Sequence, residues 1–155
     1  MNTAEKHDVS WSRMTIDELD LILGLMEDYY AYDHLDFDRA FATEALRTFI
    51  TQSELGQGWL IRLDDSPIGY IVMTNGFSLE FGGIYQYIDE FFIIEGYRGR
   101  GFGAQTLKYV ERFGQEIGVK SIHLEVDDGN IGAQKFYSQL GYGGNGRFLW
   151  SKDLE

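Results

Sequence analysis

The chain has 155 residues, 44% hydrophobic and 15% aromatic, which suits one domain with a single core and argues against general disorder. Its formal net charge of −12 speaks against nucleic acid, whose affinity rests on neutralising phosphates with Lys and Arg. It agrees with a cationic small molecule or basic peptide as partner, although acidity also serves plain solubility. With no cysteine in the sequence, thiol catalysis, disulfides and cysteine-based zinc sites are excluded.

His7, His34 and His123 are too scattered for metal spacing, so no metal is expected. No apolar run approaches the ~20 residues that cross a bilayer, and the N-terminus lacks a signal pattern. The expectation is a cytoplasmic protein with no membrane contact.

In chain order, residues 1–8 read as a flexible tail and 9–155 as one domain. Val9, Trp11 and Arg13 alternate as a first strand would, and Thr15-x-x-Glu18 reads as a capping box. It opens a helix with Leu19, Ile22, Leu23 and Met26 at helical spacing. An aromatic, acidic stretch from Tyr29 to Asp38 follows, then a helix with Phe41, Ala45, Leu46, Phe49 and Ile50 on one face. Trp59 to Leu63 and Ile68 to Thr74 form a hairpin around Asp64-Asp65-Ser66-Pro67. Asn75 to Gly83 reads as a loop and Ile84 to Ile94 as the long central strand. A glycine loop, a helix to about Ile117, a strand at Ser121–Val126, a helix at Asn130–Leu140 and a last strand near Phe148–Ser151 complete the chain.

The most informative stretch is Glu95-Gly-Tyr-Arg98-Gly99-Arg100-Gly101-Phe102-Gly103-Ala104, between the central strand and a helix. The first N–H groups of a helix lack internal partners and its dipole favours negative charge there. Glycine lets a phosphate approach that backbone, and Arg98 and Arg100 add charge. The pattern points to a diphosphate-bearing ligand. Gly99-x-Gly101-x-x-Ala104 satisfies a dinucleotide fingerprint, with acids in the next strand at the spacing of a ribose-binding carboxylate. Arg98-x-x-Gly101-x-Gly103 equally resembles the R/Q-x-x-G-x-G/A loop of the GNAT superfamily of acyl-CoA-dependent N-acetyltransferases.

The segment beyond decides between them. Asn130-Ile-Gly-Ala133-Gln-Lys-Phe136-Tyr137-Ser-Gln-Leu140-Gly141-Tyr142 resembles the GNAT signature N-x-x-A-x-x-F-Y-x-x-x-G-F/Y in register. A dinucleotide domain gives those residues no role and would lack chain to finish itself. The resemblance is strong from Tyr85 to Tyr142 and extends before Thr74 only as an order of elements. It implies an α/β fold of one GNAT domain. A mixed, mostly antiparallel sheet would splay into a V between two parallel strands, with helices on both faces.

The resemblance also implies roles. Acetyl-CoA would be the co-substrate, its pyrophosphate held by the N–H groups of Gly99 to Ala104. Its pantetheine arm would pair with the backbone of Phe91, Phe92 and Ile93, and Asn130 and Ala133 would lie beside it. Tyr137 takes the general-acid position, although Ala133, Phe136, Tyr137 and Leu140 also make an apolar helix face that reads as core. Asn130 equally reads as an N-cap.

Asp89 and Glu90 stand mid-strand among apolar residues, where a carboxylate is costly to bury, and strict alternation sends them to opposite faces. Tyr87-Ile-Asp89-Glu90-Phe-Phe-Ile93 is similar to the Tyr-Leu-Glu-Asp-Phe-Phe-Val run of diamine acetyltransferases. That similarity puts the base or amine-binding carboxylate on Asp89, while Glu90 stays open between catalysis and structure. Tyr30, Asp33 and Glu80 are second candidates for holding a substrate ammonium, with cation–π help from Tyr29, Tyr30 and Tyr32. His123 and Glu125 read as a polar pair. The expected activity is direct acetyl transfer to a primary amine of a small cationic molecule. A protein N-terminus or lysine as acceptor, or a non-catalytic acyl-CoA-binding module, is the alternative. Many relatives dimerise, so the resemblance also allows a homodimer.

Overall fold

The computed structural model describes residues 8–155. The expected tail falls outside them except for Asp8, whose N–H donates to the Asp64 carboxylate while its carbonyl accepts from the Asp64 N–H. The chain falls into two compact units, one ending at Leu124 and one running from Glu125 to Glu155.

The first unit holds the whole sheet: β1 (Val9–Arg13), β2 (Gly56–Leu63), β3 (Ser66–Ser78), β4 (Gly83–Ile93) and β5 (Ile122–His123), in that spatial order. All neighbours are antiparallel except β4 and β5. α1 (Leu19–Tyr32) and α2 (Arg39–Thr51) cover one face. Their Ile22, Leu23, Leu25, Met26, Ala42 and Leu46 pack with Leu60, Tyr70, Val72 and Phe92. α3 (Phe102–Glu116) covers the other face, where Phe102 joins Ile61, Leu63 and Ile68. Trp59 meets Tyr109 and Phe113 of α3 edge-on. One sheet with helices on both faces is the expected α/β architecture.

Several expectations are corrected. The capping box does not form: the Thr15 hydroxyl donates to the Glu18 carboxylate, which also receives Arg62 at 2.7 Å. Glu18 is thereby spent on a cross-link to β2, and a 3-10 turn (Ile16–Glu18) precedes α1. The buried face of α2 is Ala42 and Leu46 with Phe49 and Ile50 behind, so Ala45 is exposed and Phe41 is 75% exposed. Phe41 lies in the first turn, where the Asp38 side chain caps its N–H. Asn75 to Ser78 is strand, because each residue there pairs with one of Gly83 to Gln86. His123 pairs with the Ser121 hydroxyl at 2.9 Å, and its ring packs against Phe81 and Tyr85.

The register within β4 matters most for the site. β3 pairs Val72 with Glu90 and then Met73 with Ile88, so Asp89 is the extra residue of a β-bulge. The bulge inverts the alternation. Ile88 lies across from Met73 and Gln57 on the α3 side of the sheet, whereas Glu90 lies across from Val72 on the α1 side. Strict alternation would put Ile88 on the face of Glu90 and Phe92, and the bulge puts it on the other.

On its other edge β4 pairs with β5 only at Gln86 and Tyr87. Beyond Tyr87 this edge of β4 carries no strand pairing among the described residues, and β5 itself ends at His123. β5 is correspondingly shorter than the anticipated Ser121–Val126.

In the second unit α4 (Ile131–Gln139) starts at Asn130, whose side chain accepts the Ala133 N–H at 3.1 Å. Gly141, at φ 92°, closes it: its N–H reaches the Ser138 carbonyl while the Tyr142 N–H reaches that of Tyr137. The expected last strand near Phe148–Ser151 does not form among the described residues. Residues 148–151 have no strand partner within this unit, and Phe148, Leu149 and Trp150 are exposed.

Candidate active site

The loop after β4 is shaped by two glycines that a side chain would not replace without strain, Gly99 at φ 71° and Gly101 at φ 86°. Gly101 is the N-cap of α3 and supplies no side-chain cap. The first helical bond runs from the Gln105 N–H to the Gly101 carbonyl. The N–H groups of Phe102, Gly103 and Ala104 thus have no intrahelical acceptor and point out at the positive end of the helix dipole. A Cβ at Gly99 would meet nothing within 4 Å, so the space over this backbone is open. A cradle of this kind fits a diphosphate.

The two loop arginines differ. Arg98 turns back: its Nε donates to the Ile93 carbonyl at 2.6 Å, and its guanidinium stacks 3.9 Å from the Tyr32 ring and 5.2 Å from Phe92. It braces the loop against the ends of β4 and α1. Arg100 stays exposed beside Tyr97 and Phe102. The face of β4 that meets α3 carries Phe91 and Ile93, next to Phe102, while Phe92 is buried on the α1 face. The β3 edge of these three residues is taken up by Gly69, Tyr70 and Ile71. Their other edge is the one that β5 leaves after Tyr87.

A second cluster lies on the α1 side of β4. Glu90 receives the Tyr30 hydroxyl on Oε2 at 2.6 Å and the Tyr70 hydroxyl on Oε1 at 2.8 Å. Burial pushes its carboxyl up from the usual range, the two tyrosine donors pull it down, and the Asp89 charge raises it again. The hydroxyls of Tyr29, Tyr30 and Tyr70 are all pushed up, first by burial and then by the carboxylates around them. Asp33 acts on Tyr29 by charge and by a hydrogen bond, and both Asp89 and Glu90 act on Tyr29 and Tyr30. Two adjacent strand residues bear on one tyrosine cluster because the bulge sits between the paired segments.

The structure therefore brings Tyr30, Asp33, Asp89 and Glu90 together. It separates Glu80, which is exposed in the β3–β4 turn. That turn is roughly 25 Å along the hairpin from Glu90 at ~3.3 Å per residue. Tyr70 is a site residue that sequence reasoning missed. Its signal was a tyrosine inside a strand buried on both faces, where the hydroxyl needs a partner.

In the second unit Ala133 lies in the first turn of α4. Tyr137 packs edge-on against Phe136 and Tyr142, with ring centroids 5.1 and 5.9 Å apart. Burial pushes its hydroxyl up, so it holds its proton at neutral pH.

Comparison with known proteins identifies the class of protein to which this fold belongs. The model of the Acetyltransferase (GNAT) family matches residues 22–142, and the chain belongs to that family. Acetyl-CoA is the acyl donor of such enzymes. An integron cassette protein, HFX_CASS3, from the mobile metagenome of Cole Harbour Salt Marsh is 29% identical, with a TM-score of 0.84 over 94% of this chain and 90% of that one. A possible acetyltransferase from Clostridium difficile 630 is 16% identical, with a TM-score of 0.86 over 95% and 98%. The aminoglycoside N-acetyltransferase AAC(6')-Iy, solved with CoA, is 17% identical, with a TM-score of 0.80 over 97% and 98%. No helix among the described residues is long and apolar enough to cross a membrane.

Proposed function

We propose that the protein is an acetyl-CoA-dependent N-acetyltransferase acting on a primary amine of a small cationic molecule in the cytoplasm. The observation that carries the acceptor class is the cluster of Asp33, Asp89 and Glu90 among Tyr29, Tyr30 and Tyr70. Carboxylates amid tyrosine rings attract an ammonium by charge and by cation–π contact. The aminoglycoside acetyltransferase among the structural neighbours supports an amine-bearing acceptor, as does the likeness of the Asp89 run to diamine acetyltransferases.

The thioester supplies an activated acetyl group, whose transfer makes a C–N bond and breaks a C–S bond. The chain's own groups do the rest. N–H groups from Gly99 to Ala104 hold the diphosphate, Arg100 adds charge, and the edge of Phe91 to Ile93 offers backbone groups to the pantetheine arm. Asn130 fixes the start of α4, and Ala133 keeps its first turn narrow beside the carrier. Asp89, exposed on the bulge, receives the ammonium and takes its proton through a water, since its side chain is short. Tyr137 Oη gives a proton to the departing sulfur. Burial keeps that hydroxyl protonated until it is needed.

Asp89→Asn tests the acceptor side. The carboxamide keeps shape and hydrogen bonding but cannot take a proton. kcat/KM is expected to fall by about 10²-fold, with the profile shifted to higher pH because an unassisted amine must lose its own proton. A profile identical to wild type would remove Asp89 from the reaction.

A further inference from the structure

Glu90 is a charge that folding alone does not favour. Burial is the largest influence on it, and that influence opposes ionisation. Yet both its oxygens meet hydroxyl donors drawn from separate elements, Tyr30 from α1 and Tyr70 from β3. Tyr70 is 0% exposed, and its ring packs against Tyr29 and Phe92. The ring of Tyr30 is wedged between Tyr29 and Phe37. Neither hydroxyl donor is a passing surface contact. The titratable groups facing this carboxylate are Tyr29 and Tyr30 from α1, Tyr70 from β3 and Asp89 on its own strand, with Asp33 bearing on Tyr29. None of these described groups is a cation. Two neutral donors are what holds the charge.

We propose that Tyr30 and Tyr70 are positioning residues for the acetyl transfer, clamping both oxygens of Glu90 so that it stands as a fixed negative charge beside Asp89 for the acceptor ammonium. The proposal rests on the acetyltransferase reading. The bulge makes it feasible, because strict alternation would have put Asp89 and Glu90 on opposite faces. In this arrangement Asp89 is the exposed carboxylate and Glu90 the half-buried one, held on both oxygens by hydroxyl donors.

Tyr30→Phe and Tyr70→Phe each delete one donor and keep a ring. Glu90→Gln deletes the charge. The readouts are carbon NMR titration of labelled glutamate carboxyls in the whole protein, with Glu90 assigned by its loss in Glu90→Gln, and the pH profile of kcat/KM. Each Phe variant should move the Glu90 midpoint to higher pH, because a donor to the anion is gone. Each should also lower kcat/KM at pH 6 by about tenfold, the loss of one hydrogen bond to a charged group, with recovery at higher pH. In a Glu90→Gln background, Tyr30→Phe should add nothing. An unmoved Glu90 midpoint in both Phe variants would overturn the clamp. A moved midpoint with an unchanged pH profile would overturn its part in the reaction. If the titration behaves as expected while the wild type acetylates no amine, the acetyltransferase reading fails and the clamp stands as structure only.

Discussion

Gly101→Val is expected to abolish CoA binding in a chain that still folds. Gly101 sits at φ 86° as the N-cap of α3, a conformation that a β-branched residue does not adopt without strain. Relief of that strain must rotate the peptide groups feeding Phe102, Gly103 and Ala104 away from the position where they converge on an anion. Losing two charge-assisted hydrogen bonds at about 1.5–3 kcal/mol each raises Kd by roughly 100-fold or more. The hydrophobic cores, formed by β2, β3, β4 and the buried faces of α1, α2 and α3, do not involve this residue. Circular dichroism should therefore remain near wild type while calorimetric titration with CoA goes flat. An unchanged Kd in the folded variant would remove the loop from cofactor binding.

Tyr137→Phe should lower turnover by roughly 10²–10⁴, the range for a positioned general acid, with fold and CoA affinity retained. The substitution keeps the ring and its edge contacts with Phe136 and Tyr142 and removes only the hydroxyl. The shift at this hydroxyl fixes only its starting state, because an ordinary tyrosine is also protonated at neutral pH and a raised one is a weaker acid. A tyrosine raised by burial remains protonated through the neutral range, and a donor must be protonated before transfer. The missing acid should matter most for amines whose attack is quick, where expulsion of the thiolate limits the rate. Wild-type turnover in Tyr137→Phe would make this residue core packing and place the acid elsewhere.

The fold was legible wherever the pattern was local. The apolar spacing of Leu19, Ile22, Leu23 and Met26 marks the buried face of α1, and all four are buried. The loop at Gly99 and Gly101 was readable because only glycine suits their backbone. The bulge at Asp89 was not. It adds one residue without a glycine to mark it, and a period-two reading carries straight across it. The doubled carboxylate inside an apolar strand was its only trace. Strand pairing explains the other misses. Asn75, Gly76 and Ser78 read as loop around a lone Phe77, and the segment becomes strand because 83–86 lie opposite. Residues 148–151 have a strand's composition and no partner strand in their unit. Tyr70 escaped notice for a similar reason, since its importance comes from a partner 20 residues away across the sheet.

Release of CoA thiol from acetyl-CoA across a panel of amines, with the product identified by mass spectrometry, decides whether the chain transfers acetyl groups to cationic amines. The panel should hold polyamine-like and aminoglycoside-like cations, neutral monoamines, and peptides with a free N-terminus or lysine. Turnover is expected for primary amines that carry a second positive charge, with weak turnover of neutral monoamines and an N-acetyl product. Turnover confined to peptides would contradict the acceptor class. CoA binding without turnover of any amine would contradict catalysis and leave an acyl-CoA-binding module.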